Sequence, residues 1–236
     1  MSASHAPAPK RKKVLLLFAL LGIVPIGFLF MRTGKHTFTK LPYIGEREVN
    51  APGDTTFFTV PPFSFTDQNG RTVTDRTVAG KVIIADFFFT RCTSICPRMT
   101  AQMQQLQFKL NKDSFHDVVF LSHTVDPEND TPEVLRSYAR KWEADTTRWF
   151  FLTGNAPDIY RQGNLGYLLS ANADSTAAED FVHSPHFVLV DKQRHIRGMY
   201  DGTVTASVDS LVSDLKLLLK EEHLREKAEK KAAQGS

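Results

Sequence analysis

Cys92 and Cys96 are the only two cysteines in the 236-residue chain, and they stand together in FFFTRCTSICPRM. A pair so spaced has two chemistries open to it. It can exchange with a disulfide, or its thiolates can hold a soft metal such as copper(I) or zinc. A purely structural bridge is the weaker account, because closing so short a loop constrains little of the unfolded chain. Closed structural zinc is also a poor match, because such sites take four protein ligands. The run KVIIADFFFT (81–90) before the pair is β-branched and aromatic, as a buried strand is. Pro97 after it suits the first turn of a helix. The pair therefore belongs at a strand-to-helix junction, where spare N–H groups and the positive end of the helix dipole stabilise a thiolate. A helical turn beginning near Cys92 would point both sulfurs to one face.

An imidazole close by would favour metal over thiol exchange alone. Of the eight histidines, His5, His36 and His223 fall in end or linker segments. His116, His123 and His195 sit at expected strand or turn edges, where a solvent-facing imidazole is the ordinary reading. His183 and His186 flank the start of the strand FVLV. Side-chain alternation puts those two on different faces, so one at most is a ligand.

The elements that must position these residues follow an order. FSFTDQNGRTVT reads as a hairpin around Asn69-Gly70. KVIIADFFFT is a central strand, and the helix after Cys96 carries Met99, Met103, Leu106 and Leu110 on one side. DVVFLSHTV (117–125) is a second buried strand. DPENDTPEVLRSYARKW opens a helix, started either by an Asp130/Glu133 capping box or by Thr131-Pro132. WFFLTG (149–154) is a short strand, 156–169 a short helix, and HFVLVDKQRHIRGMYDG (186–202) a strand, turn and strand. A last helix buries Val208, Leu211, Val212, Leu215, Leu218 and Leu219 along one stripe. Together they imply one α/β domain over 55–222, with a parallel centre, an antiparallel edge hairpin and its site at the carboxyl ends of the strands.

The ends differ in kind. Residues 1–13 close on Lys10, Arg11, Lys12 and Lys13 and read as a cytoplasmic N-terminus. Residues 14–31 carry no charge over 18 positions, a helix of about 27 Å, close to a bilayer's apolar thickness. With no small-residue cleavage site after them, they read as an uncleaved transmembrane anchor. Basic residues stay inside, so the domain faces the periplasmic or extracytoplasmic side of the inner (plasma) membrane as a single-pass protein. Residues 32–54 read as a linker, in which the role of KLPYIGERE is not evident from composition. Residues 223–236 form a charged tail, expected to fray or be disordered. Six of the 29 Lys+Arg lie in 1–36, which contain no Asp or Glu. The remainder holds 23 basic against 26 acidic residues, net −3. That balance argues against nucleic acid as a partner.

FFFTRCTSICPRM resembles the F-T-x-C-x-x-x-C-P signature of the Sco/SenC family of membrane-anchored copper proteins. VDPENDTPEVLRSYA resembles that family's second signature, and LPYIGERE, PPFSFTDQNG and WFFLTG are similar to further family segments. The resemblance spans about residues 40–220. It implies a thioredoxin-like sandwich and a copper site of Cys92, Cys96 and His183, the last matched in HSPHFVLVD where His186 is not. It implies a carrier of copper(I) or copper(II) rather than an enzyme, with a copper-accepting oxidase subunit and a thiol reductant as partners. The target it implies is the CuA centre of cytochrome c oxidase. A thiol-disulfide reductase acting on oxidase cysteines through Cys92 and Cys96 is the alternative. A peroxidase is weaker, since Phe89 stands three before Cys92 where a threonine is wanted, although Thr90 is adjacent. Arg98 follows Cys96-Pro97 where many relatives are acidic, and is expected to lower the thiol pKa values. Pro185 resembles the cis-proline of thioredoxin-like oxidoreductases, while a trans-proline at a strand start is equally compatible with the sequence.

Overall fold

The computed structural model describes residues 40–51, 54–169 and 184–234. His183 and the anchor expected at 14–31 lie outside them. Among the described residues no helix is long and apolar enough to cross a membrane.

A short antiparallel pair, β1 (Arg47–Ala51) and β2 (Asp54–Phe57), comes first. The main sheet has seven strands: β3 (Ser64–Asp67), β4 (Thr72–Thr74), β5 (Val82–Phe88), β6 (Val118–Thr124), β7 (Trp149–Thr153), β8 (His186–Val190) and β9 (Ile196–Asp201). Their order is β4-β3-β7-β6-β5-β8-β9. β5, β6 and β7 run parallel, and the outer strands are antiparallel. VIIADFF and VVFLSHT are buried at every position, because helices or connecting segments cover both faces of the central strands.

Among the described residues four α-helices accompany the sheet: α1 (Cys96–Lys109), α2 (Pro132–Lys141), α3 (Ala156–Arg161) and α4 (Thr205–Gln234). A π-turn over Gln162–Gly166 follows α3. Alternation along β5 divides the core. Val82, Ile84 and Phe88 pack with Met99, Met103 and Leu106 of α1, Leu135 of α2 and Leu211 and Leu215 of α4. Ile83, Ala85 and Phe87 pack on the other face with Val60, Phe63, Ile159 and Tyr167. This parallel-centred α/β sandwich bears out the architecture read from the hydrophobic pattern.

Several local expectations change. The linker read over 32–54 ends in structure, since β1 begins at Arg47 and pairs with Phe57. Arg197, on β9, explains KLPYIGERE. Its guanidinium is buried and donates to the carbonyls of Leu41 (2.8 Å) and Pro42 (3.0 Å), to Asp191 (3.1 Å) and to Glu221 (3.0 Å). The Tyr43 ring lies 4.2 Å from its centre. Gly45 then turns with φ +110°, where a Cβ would come within 2.6 Å of Phe58. The tail expected to fray continues α4 as far as Gln234.

His123 is not at a solvent edge. It is fully buried among Phe63, Phe65, Phe87 and Tyr167, and burial pushes its pKa down to about 3. The run VVFLSHT has no polar alternation that could have marked this position.

Candidate functional site

The cysteine loop leaves the carboxyl end of β5. Val125 N–H donates to Phe88 O at 2.8 Å and prolongs the β5–β6 pairing to the brink of the loop. The helix begins at Cys96 itself, with Pro97 in its first turn. Cys92 therefore lies in the turn before the helix, not on a shared helical face, because Pro97 supplies the first-turn residue that fixes the start. Both thiols are free. Cys92 is half-buried and Cys96 is buried, 3% exposed, in the core beside Met99 and Phe88.

This difference in surroundings separates their acidities. Burial opposes ionisation of Cys92, but hydrogen bonds from Ser94, whose Oγ is 3.5 Å from Sγ, and from Cys96 outweigh it and bring the thiol down to about 7. Burial pushes Cys96 up to about 12, reinforced by the neighbouring Cys92 and Asp86. At neutral pH the half-buried outer sulfur is thus an available nucleophile or soft ligand, and the inner one keeps its proton until a partner takes it.

Arg98 does not act as the sequence suggested. Its guanidinium turns away to Thr203 O at 3.0 Å. Its charge instead assists Thr203 and His186 in holding Asp201 below the ordinary carboxylate range against that residue's burial. The bond ties the start of α1 to the turn between β9 and α4.

The second signature grips the loop. Asp130, completely buried, accepts Thr90 N–H at 3.1 Å and the hydroxyls of Thr90 and Thr124. Asp126 takes Arg91 at 2.7 Å and Asn129 Nδ2 at 2.7 Å. The Asp130/Glu133 capping box is not formed. Thr131 is the N-cap residue with Pro132 in the first turn, and Asp130 is committed to the cysteine loop. Sequence reasoning treated Asp130 only as a helix start. The clue it passed over was an acidic residue immediately before a second, sufficient start signal.

Asp86 is a further residue that the sequence did not flag. Alternation along β5 puts it on the α1 face, where burial pushes its carboxyl up to about 7 against a 2.6 Å hydrogen bond from Ser122. Ser122 Oγ in turn accepts Trp149 Nε1 at 2.9 Å. Thr100 Oγ1, in the first turns of α1, donates to Cys96 O at 2.9 Å and lies 2.8 Å from Tyr138 Oη.

No group of three or more His, Cys, Asp or Glu gathers as a metal site among the described residues. The thiol pair supplies two donors. His186 opens β8 and bonds Ser184 Oγ at 2.9 Å, and its partner across the ladder is Asp201. It shares the strand face of Val188, which packs in the core opposite Cys96. No cis peptide occurs among the described residues, so Pro185 is trans.

A family model described as SCO1/SenC matches residues 52–220. The "SCO1 protein homolog" of Bacillus subtilis (strain 168) is 34% identical over 159 residues, covering 67% of this chain and 82% of that protein. The solved structure of BsSco, reported with a disulfide switch and as a member of the Sco family of cytochrome c oxidase assembly proteins, is 35% identical. It covers 69% of this chain and 94% of its own, with a TM-score of 0.58. Bradyrhizobium japonicum ScoI, solved with copper bound, shares the fold at 22% identity and a TM-score of 0.53, over 68% of this chain and 99% of its own.

Proposed function

The chain belongs to the SCO1/SenC family, and from that premise we propose that it carries one copper ion outside the cytoplasm and supports assembly of the CuA centre of a respiratory cytochrome c oxidase. Cys92 and Cys96 bind as thiolates, and His183 completes the set as a neutral imidazole. Two sulfurs and one nitrogen suit copper(I), and added oxygen ligands extend the set to copper(II). The observation that carries this reading is the paired free thiols at the mouth of β5, one of them ionising near neutrality. Such a donor set fits a soft ion and releases it by protonation or oxidation. Residues 14–31 hold the domain at the inner membrane, where it meets a copper-accepting oxidase subunit and a thiol reductant.

The test is anaerobic copper(I) loading of the full chain in detergent against a competing chelator. Wild type is expected to hold one copper. Cys92→Ser and Cys96→Ser are each expected to lose orders of magnitude in affinity, because a thiolate is the strong soft ligand. His183→Ala is expected to weaken copper(II) more than copper(I), because it removes the only imidazole. One tightly held copper in either serine variant would sink the assignment.

One observation favours the second reading, a thiol-disulfide reductase for oxidase cysteines. The acidic, accessible Cys92 and the buried Cys96 have the attributes of an attacking and a resolving thiol. That role does not need His183, so oxidase assembly in cells carrying His183→Ala at limiting copper separates the two readings. The Thr90 hydroxyl is spent on Asp130, which counts against a peroxidase.

A further inference from the structure

We propose that Asp130 is a positioning residue for Cys92, setting the spacing of the two sulfurs from outside the CxxxC loop. This deepens the reading above and rests only on its thiol pair.

The loop runs between two fixed posts. On the upstream side the chain is held through Arg91. Phe88 O is bonded by Val125 N–H, Thr90 is bonded through both N–H and hydroxyl to Asp130, and the Arg91 guanidinium is held by Asp126. On the downstream side Cys96 opens α1, and Arg98 straps that end to Thr203. The bonds of Cys92 are local: its N–H to Phe89 O at 3.2 Å, and its Sγ to Ser94 Oγ at 3.5 Å. Cys92 thus rides a short bridge whose upstream footing is Thr90, two residues away.

The chemistry of that footing requires a carboxylate. Asp130 is 0% exposed and takes three donors: one amide N–H and two hydroxyls. An ionised carboxylate accepts at both oxygens and offers no donor of its own. An amide of the same shape would turn N–H groups toward donors and leave a buried group unpaired. Thr124, which gives the third bond, also accepts Asp126 N–H at 3.0 Å. One carboxylate thereby joins the end of β6, the start of α2 and the cysteine loop. If Thr90 loosens, the sulfurs meet less often and their effective concentration falls.

The readout is the metal-free disulfide equilibrium of the detergent-solubilised full chain in a dithiothreitol redox buffer. As the Sγ–Sγ bond forms, the two thiols give two electrons and two protons to oxidised dithiothreitol, which leaves as the dithiol. Thr90→Val keeps the shape and drops the hydroxyl bond. It is expected to lower the constant for disulfide formation about tenfold, a rise in potential of about 30 mV. Thr90→Ser, which keeps the bond, is expected to stay within about twofold of wild type on the same scale. Asp130→Asn is expected to shift further than Thr90→Val, and the copper(II)–thiolate absorption band should move in the same order. A Thr90→Val chain with lowered thermal stability but an unchanged potential would reduce Asp130 to a structural role and overturn the proposal. If Asp130→Asn does not fold, the valine–serine pair decides. A wild-type chain that binds no copper removes the functional reading and leaves the metal-free result standing.

Discussion

On β9, level with the start of β5 but two strands away, Arg197 is buried with its donors spent on two carboxylates and two carbonyls, and an aromatic ring against its plane. Toward the carboxyl end of β5, a single serine hydroxyl meets Asp86, and Cys96 at the start of α1 is buried with its proton held on. Both ends take an ionisable group out of water, which is costly unless the charge is paired. The Arg197 end has compensated its charge and gains nothing by altering it. The cysteine end leaves its groups near the point of changing charge, as a site that takes up and gives back a cation or a pair of electrons must. Fixity and responsiveness are thus placed toward opposite ends of the sheet, one on β9 and one where β5 runs into α1.

The sharpest test of this contrast is the reactivity of the two thiols taken singly. With Cys92 left alone in Cys96→Ser, alkylation by iodoacetamide should rise with pH through a midpoint near or somewhat above 7, since the Cys96 hydrogen bond is lost. With Cys96 left alone in Cys92→Ser, alkylation at pH 7 should be slower by roughly a hundredfold, because the lower thiolate fraction outweighs its greater intrinsic nucleophilicity even after the loss of Cys92 brings its pKa down. Equal rates would erase the distinction between the outer and inner sulfur.

The fixed end is probed by Arg197→Met, which leaves Asp191 and Glu221 facing an apolar side chain. A loss of about 3–5 kcal/mol in urea-unfolding free energy is expected, the usual result of breaking a buried pair from one side. The disulfide potential should stay at the wild-type value. A shifted potential would mean that the two ends are coupled and the comparison fails.

The responsive end should also show in stability against pH. Asp86 is raised from 3.8 to about 7 in the folded state, so between those values the native chain holds a proton that the unfolded chain has released. Stability is therefore full below pH 4 from this group and is lost as pH rises to 7, by at most about 4 kcal/mol at 1.36 kcal/mol per unit. About half of that is expected in practice, and Asp86→Asn should flatten the slope. An unchanged slope in chemical denaturation from pH 4 to 8 would show that Asp86 ionises freely. The smallest effect belongs to Tyr138→Phe. It removes the hydroxyl beside Thr100 while Thr100 keeps its bond to Cys96 O, and should cost about 1 kcal/mol with no change in thiol reactivity.

The strands of the main sheet and its long helices were legible because their signals are local, whereas β1 and β2 were read as linker or passed over. Apolar runs and alternation marked β5, β6 and the α4 stripe, Asn69-Gly70 marked the hairpin, and Pro97 and Pro132 marked two helix starts. The cysteine pair was legible because no other thiols compete with it. The rest depends on contacts distant in sequence. Thr90 meets Asp130 40 residues on, and Arg197 reaches back 156 residues to Leu41. Neither partner carries a periodicity that would name the other. Arg98 was misjudged for the same reason, since a long side chain near a site in sequence is free to point elsewhere, here to Thr203. His123 was misjudged because an imidazole in an apolar strand looks like an edge residue until its aromatic neighbours are known.

The clamp around Arg197 also has a mechanical side. Tension arriving along the chain ahead of Lys40 must first pull on Leu41, Pro42 and Tyr43, which are fastened crosswise to β9 and α4. Several bonds loaded together in shear resist better than bonds opened one after another. The cysteine loop lies beyond that fastening, past the carboxyl end of β5. Under the anchoring proposed for residues 14–31, such a pull would leave the two sulfurs in register, and the arginine would serve as a strain relief, as a grip does where a cable enters its plug.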